Sequence, residues 1–168
     1  MKKIGLFYAS STGNTEDMAT EIKESLSDLD ITMHDVAQSA SDEMTKYDAL
    51  IIGVSTWGDG DLQDDWEDYI VNLDDAQLSG KTIALFGLGD QEEYPDHFLS
   101  AMGTIYEKVV SLGANVVGSF STDGFEFDES TAVVDGMFVG LALDEDNQDD
   151  LSSQRIKSWC DSIRPHFA

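Results

Sequence analysis

Hydrophobic positions along the chain follow two alternating patterns. Five short apolar runs, Lys3 to Tyr8, Ile31 to Val36, Ala49 to Val54, Thr82 to Leu88 and Asn115 to Phe120, have the length and make-up of buried strands. Between them, apolar residues recur at helical spacing: Met18, Ile22, Leu26 and Leu29; Trp66, Tyr69, Ile70 and Leu73; Phe98, Met102, Ile105, Val109 and Leu112. Ile156, Trp159, Cys160 and Ile163 mark a closing helix. Strand and helix in alternation predict an α/β fold, a three-layer, doubly wound, five-stranded parallel sheet with helices on both faces. Gly80-Lys81 and Gly113-Ala114 punctuate the returns from helix to strand. The loops leaving strands one, three and four then share the sheet edge at which open parallel sheets bind ligands. Ser121 to Leu143 breaks the alternation with turn-like pieces and a second apolar run, Met137 to Leu143. That segment is expected to form a small extra sheet, as an insertion splitting the last strand in two.

Length and composition narrow the picture. With 168 residues, no repeat, no linker and 41% hydrophobic content, residues 1–168 are expected to form one domain with a sizeable core. No apolar stretch nears the length of a membrane span and no signal pattern follows Met1-Lys2-Lys3, so the cytoplasm is the expected location. A lone Cys160 excludes an internal disulfide and a multi-cysteine metal site. The balance of 34 acids against 9 Lys plus Arg leaves a formal charge of -25. A field of that sign repels nucleic acid and anionic membranes and attracts basic protein faces, although it also serves solubility or life in salt.

The unusual residues sit in the three converging loops. After the first strand, Ser10, Ser11, Thr12, Gly13, Asn14 and Thr15 bring hydroxyl donors and a glycine to the start of a helix, whose unpaired N–H groups and positive dipole end suit a phosphate. A Ser/Thr-rich loop that only caps a helix has a similar sequence. No Lys follows the glycine, so the nucleoside-triphosphate loop is excluded. After strand three comes Ser55-Thr56-Trp57-Gly58-Asp59-Gly60-Asp61, and after strand four Leu88-Gly89-Asp90, then Gln91 to Pro95 with Tyr94. Trp57 and Tyr94 on neighbouring loops are positioned to sandwich a flat ring. The run Asp144 to Asp150 lacks the Gly and closing Glu of a calcium loop and reads as a solvated cluster at the start of the closing helix. Cys160 reads as a buried structural thiol, and neither His34 nor His166 suggests a role.

These motifs together resemble the flavodoxins of the long-chain type, over essentially the whole chain: Ser-Ser-Thr-Gly-Asn-Thr after strand one, Thr56-Trp57 after strand three, Gly89-Asp90-Gln91 with Tyr94 after strand four, and Phe138-Val139-Gly140-Leu141-Ala142-Leu143 before the last helix. The strand order 2-1-3-4-5 is taken over from that family. The resemblance implies noncovalent FMN, its phosphate on Ser10 to Thr15 and its isoalloxazine between Trp57 and Tyr94. Backbone groups from Ser55 to Gly60 and at Leu88, Gly89 and Asp90 would hold the ring. His97 is a candidate for the flavin border, with an ordinary surface histidine as the alternative.

The function so implied is a low-potential one-electron carrier, not an enzyme, cycling FMN between semiquinone and hydroquinone. Expected partners are a basic-faced flavodoxin/ferredoxin-NADP reductase or other redox proteins, met transiently by a monomer through Asp59, Asp61, Asp64, Asp65 and Asp68 around Trp57. Gly58 would let its peptide carbonyl turn toward flavin N5 and stabilise the semiquinone. Acids in the loops, among them Asp90, Glu92, Glu93 and Asp96, would oppose the hydroquinone's charge. One carboxylate at ~10 Å in an effective dielectric of about 40 contributes ~0.8 kcal/mol, roughly 35 mV for one electron. The alternative is an FMN-dependent NAD(P)H quinone or nitro reductase of the same fold, which the absence of basic residues in the loops disfavours. A phospho-accepting receiver domain would need an acidic pair where Ser10 and Ser11 stand and a Lys where Ser121 stands.

Overall fold

The computed structural model describes residues 1–168. A parallel sheet forms its centre, with strands β1 (Lys3–Tyr8), β2 (Asp30–Asp35), β3 (Ala49–Trp57) and β5 (Thr82–Leu88). β1 pairs with β2 and with β3, and β3 pairs with β5, all in parallel. Helices α1 (Asn14–Ser25) and α4 (Ser152–Phe167) supply Met18, Ile22, Ile156 and Trp159 to one core, against Leu6, Ile51 and Phe86 of the strands. On the other face, α2 (Asp64–Tyr69) and α3 (Ser100–Ser111) bring Trp66, Tyr69, Met102 and Ile105 against Leu50, Ile52 and Leu85. Consecutive strand residues divide between the two cores, as period-two alternation requires. Both faces are apolar, so the strands read as near-continuous hydrophobic runs.

The fifth position of the sheet is shared by two separate segments. β6 (Asn115–Val117) pairs in parallel with Thr82 to Ala84, and β10 (Leu141–Leu143) with Phe86 to Leu88. The resulting order, β2-β1-β3-β5 followed by the β6/β10 pair, is the five-position order expected. The strand predicted over Asn115 to Phe120 therefore ends early: Phe120 leaves the main sheet and joins β7 (Phe120–Ser121), which pairs antiparallel with β9 (Met137–Phe138), itself paired with β8 (Val133–Val134). The apolar run Met137 to Leu143 is likewise cut, its first part serving the small sheet and its last three residues the large one. Gly140 makes the switch possible, since a Cβ there would lie 2.1 Å from the Leu85 carbonyl oxygen.

Three helical predictions shift at their ends. Leu26 and Leu29 lie beyond the end of α1, Ile70 and Leu73 fall in a 3₁₀ stretch after α2, and Phe98 precedes and Leu112 follows α3. Phe98 is the informative case: its side chain is buried, yet the backbone belongs to the loop arriving from β5, and the ring packs against Phe125, Phe127 and Phe138 of the insertion at centroid distances of 5.6, 5.5 and 5.8 Å. Cys160 is buried on α4 as expected, and burial pushes its thiol up to about 12. His34, without an expected role, stacks on Phe7 at 4.8 Å and hydrogen-bonds Tyr47. No helix is long and apolar enough to cross a membrane.

Candidate functional site

The loops after β1, β3 and β5 meet at one end of the sheet around a cleft of about 230 Å³. Its first wall is the start of α1. Four hydroxyl residues precede or open this helix, yet none of them caps it: the N-cap position is Gly13, at φ 93°, with no side-chain bond to the helix amides. Ser10 Oγ instead accepts from the Gly13 N–H at 2.8 Å. The first-turn N–H groups thus keep their positive end open to an external acceptor. Thr12, Asn14 and Thr15 line the cleft here, and the Thr15 side chain is nearly inaccessible. This arrangement disposes of the helix-cap reading of the Ser/Thr loop.

The second wall is a tight turn. β4 (Asp61–Leu62) folds back antiparallel on the end of β3, pairing Thr56 with Leu62 and Trp57 with Asp61. The turn needs Gly58 at φ 50°, a left-handed conformation that side chains disfavour. Trp57 is 40% exposed and its Nε1–H donates to Ser55 Oγ at 2.8 Å, so the indole stands at the rim with its polar edge satisfied. Thr56 Oγ1 accepts from the Ala101 N–H at 3.1 Å, fastening the turn to the first residues of α3. Ser55, Thr56, Trp57 and Gly58 line the cleft. Asp59 is exposed at the turn, and Gly60 faces the neighbouring hollow of about 660 Å³ together with Ser11. His97 packs behind Gly60, its Nδ1 3.4 Å from where a Cβ would sit. It lines neither cavity.

The third wall, Leu88 to Tyr94, is held by side chains far away in sequence. Gly89 donates to the Leu143 carbonyl at 3.1 Å, and a Cβ there would come within 3.1 Å of both Phe98 and Leu99. Asp90 Oδ1 accepts from the amides of Glu92 and Glu93 and from Asn147 Nδ2, the last at 2.8 Å. Asp144, wholly buried, accepts from the Gln91 backbone at 3.1 Å and from its side chain at 2.7 Å. Gln91 Oε1 in turn accepts from the Glu126 N–H of the insertion at 2.6 Å. Tyr94, 38% exposed, lines the same cleft as Trp57.

Two residues of the cleft escaped the sequence reading. Glu145 and Asp146 line it, and Asp144 anchors it, so the acidic run is not simply a solvated cluster at the start of α4. β10 ends at Leu143 and carries these residues directly to the cleft, while α4 begins only at Ser152. Burial raises the Glu145 pKa, reinforced by Asp149, Glu21 and Asp17 and opposed by a hydrogen bond from Ser152. Burial also raises Asp146, with Asp90 and Asp144 adding to it. The ion pairs of the protein lie elsewhere, at His34–Glu43, Lys46–Glu43, Lys108–Asp74 and Arg164 with Asp28 and Asp161. None of these ion pairs involves Asp90, Glu145 or Asp146, while Arg155 on α4 interacts electrostatically with Asp144.

The flavodoxin family profile matches residues 6–159. The chain belongs to the flavodoxin family. It is 48% identical over 166 residues to a flavodoxin of Nostoc sp., covering 99% of this chain and 98% of the relative. To a flavodoxin of Synechocystis sp. it is 49% identical, with 98% of each chain covered. Among solved structures, a flavodoxin of Fusobacterium nucleatum bound to flavin mononucleotide superposes with a TM-score of 0.95 at 34% identity, over 100% of both chains. The fold at the cleft is thus shared by a flavodoxin crystallised with a flavin.

Proposed function

We propose that this chain is an electron carrier that holds FMN in the cleft between the β1, β3 and β5 loops, residues 1–168 acting as one unit. The observation that carries the reading is the uncapped start of α1 facing the same cleft as Trp57 and Tyr94: a donor-rich phosphate subsite and an aromatic-walled ring subsite in one cavity. The donor set fits the cofactor. A phosphate dianion is met by helix amides and by the hydroxyls of Thr12 and Thr15, while a flat apolar ring is met by two aromatic faces with backbone groups of Gly58, Gly89 and Asp90 at its edges.

When bound, FMN supplies a ring able to take up two electrons one at a time. The chain's own residues govern how easily each is accepted. Gly58 permits its peptide to turn without a side-chain penalty, so that its carbonyl could accept a hydrogen bond from the edge of a bound ring. Asp90, Glu145 and Asp146, none of them ion-paired, would oppose additional negative charge on the ring. Trp57 and Tyr94 would cover the ring faces and restrict water. Family membership favours transfer to and from other redox proteins over a reaction with a small-molecule substrate. We further assign the face around Trp57, with Asp59, Asp61, Asp64, Asp65 and Asp68, to transient docking of a basic-faced reductase, by a monomer in the cytoplasm.

The test is fluorescence titration of the apoprotein with FMN, followed by stopped-flow electron transfer from a basic reductase at rising ionic strength. Stoichiometric binding and a rate that falls with salt are expected. Failure to bind FMN would remove the proposal, and a salt-independent rate would remove the docking face alone.

A further inference from the structure

His97 is the only Lys, Arg or His in the four stretches that build the cleft, Ala9 to Thr15, Ser55 to Asp64, Leu88 to Leu99 and Asp144 to Leu151. Its N–H donates to the Tyr94 carbonyl at 3.2 Å and its carbonyl accepts from Ser100 at 3.1 Å, which fixes it between the Tyr94 loop and α3. Its side chain crosses to the turn that carries Trp57: a Cβ on Gly60 would lie 3.4 Å from Nδ1 and 3.6 Å from the His97 Cβ. Two peptide units, spanning no more than ~8 Å, join Gly60 to Gly58, which lines the cleft. The imidazole is half-buried and belongs to none of the ion pairs of the protein. The charged groups on the segments around it are all acidic. The turn brings Asp59 and Asp61, and its own loop Glu93 and Asp96, with Tyr94 as a further titratable group. The insertion adds Asp128 and Glu129, whose N–H groups donate to the Pro95 carbonyl at 2.8 and 3.0 Å. The first turn of α3 brings no charge.

We infer that His97 couples electron uptake by the bound ring to proton uptake by the protein, through charge and without touching the ring. Histidine is the side chain whose charge ordinarily changes between about pH 5 and 8. Once protonated, an imidazole behind the Gly58–Gly60 turn attracts negative charge added to the ring. Negative charge on the ring draws a proton onto the imidazole by the same amount, since the two effects are one linkage. In the coupled step the ring gains one electron from the donor protein, which is oxidised, and His97 gains one proton from solvent. No bond forms between His97 and the flavin, and the charge of the pair is unchanged. The carboxylates around the cleft oppose the added electron, and His97 alone among the cleft segments can offset them. The inference rests on the flavin placement proposed above.

The test reads the imidazole itself, by NMR titration of the FMN-loaded protein, first oxidised and then reduced by two electrons with dithionite. The chain has three histidines; His34 on β2 and His166 near the end of α4 serve as references, and His97→Gln assigns the remaining signal. The proton affinity of His97 is expected to rise about fourfold on reduction, the effect of one charge at ~10 Å in an effective dielectric of about 40. The reciprocal effect is read in the potential for the second electron. Wild type and His97→Gln are expected to coincide near about pH 8 and to part as pH falls toward about 5, the wild type accepting the electron more readily. Equal proton affinity in both redox states, or an equal rise at all three histidines, would overturn the inference. So would a displacement between wild type and His97→Gln of the same size at every pH, which marks a structural role. A chain that takes up no FMN would instead overturn the function proposed above, and this inference with it.

Discussion

The two ends of the cleft are built on different principles. At the α1 end, six consecutive residues, Ser10 to Thr15, form the wall, and what they offer is mostly backbone: helix amides left uncapped by any side chain. At the ring end, the Leu88 to Tyr94 loop owes its shape to Asp144, Asn147, Phe98 and Glu126, contributed by the residue just after β10, the loop beyond it, the approach to α3 and the insertion. A local helix start recognises a small symmetric anion. A flat ring needs walls set at a chosen separation, and that requires groups distant in sequence.

The sharpest way to break the comparison is at Asp144. Removing this buried carboxylate in Asp144→Ala takes the acceptor from both Gln91 donors and from the Asn147 backbone N–H, while Asn147 Nδ2 keeps only Asp90. A destabilisation of about 3 kcal/mol in urea unfolding is expected. Riboflavin and FMN affinities are expected to fall together, because the damage is confined to the ring end. Thr15→Val tests the other end: the nearly inaccessible hydroxyl is replaced by a methyl of similar size, and FMN binding is expected to weaken by about 2 kcal/mol with riboflavin binding unchanged. Tyr94→Ala is expected to cost about 1 kcal/mol beyond lost contact area, for both flavins alike, by calorimetric titration.

The smallest expected effect concerns pH. The folded-state pKa values of Glu145 and Asp146 are raised, mainly by burial, so the folded protein binds protons more readily than the unfolded chain. Their contribution favours folding most below the ordinary carboxylate range, near about pH 4, and is lost as pH rises through the raised values. Glu145→Gln is expected to remove part of that loss, so that apoprotein stability declines less between pH 4 and 7 than in wild type, approximately in proportion to the burial of the group. Unfolding midpoints measured across that range check it.

The same contrast explains what could be read in the sequence. The sheet and its helices were legible because burial on both faces leaves continuous apolar runs, and the donor-rich loop of Ser10 to Thr15 because its residues are contiguous. The division of the fifth strand was legible as an interruption, but its cut points were not, since Phe120 and Met137 are as apolar as the residues that stay in the large sheet. Asp144 was unreadable for a stronger reason. A carboxylate in an acidic run gives no local sign that it is buried, and its partner Gln91 lies 53 residues away. Gln63 left a faint signal, a Gln immediately before a run of acidic helix-start residues, which marks a cap but not the bond to Ser11.

On the proposed reading, FMN in this cleft exchanges electrons singly, in surroundings that resist added negative charge. Spectroelectrochemical titration of the FMN-loaded protein tests it most directly. Two well-separated one-electron steps are expected, with a long-wavelength absorption band at half reduction and a second potential more negative than that of free FMN. A single two-electron step, or a second potential at or above the free value, would contradict it.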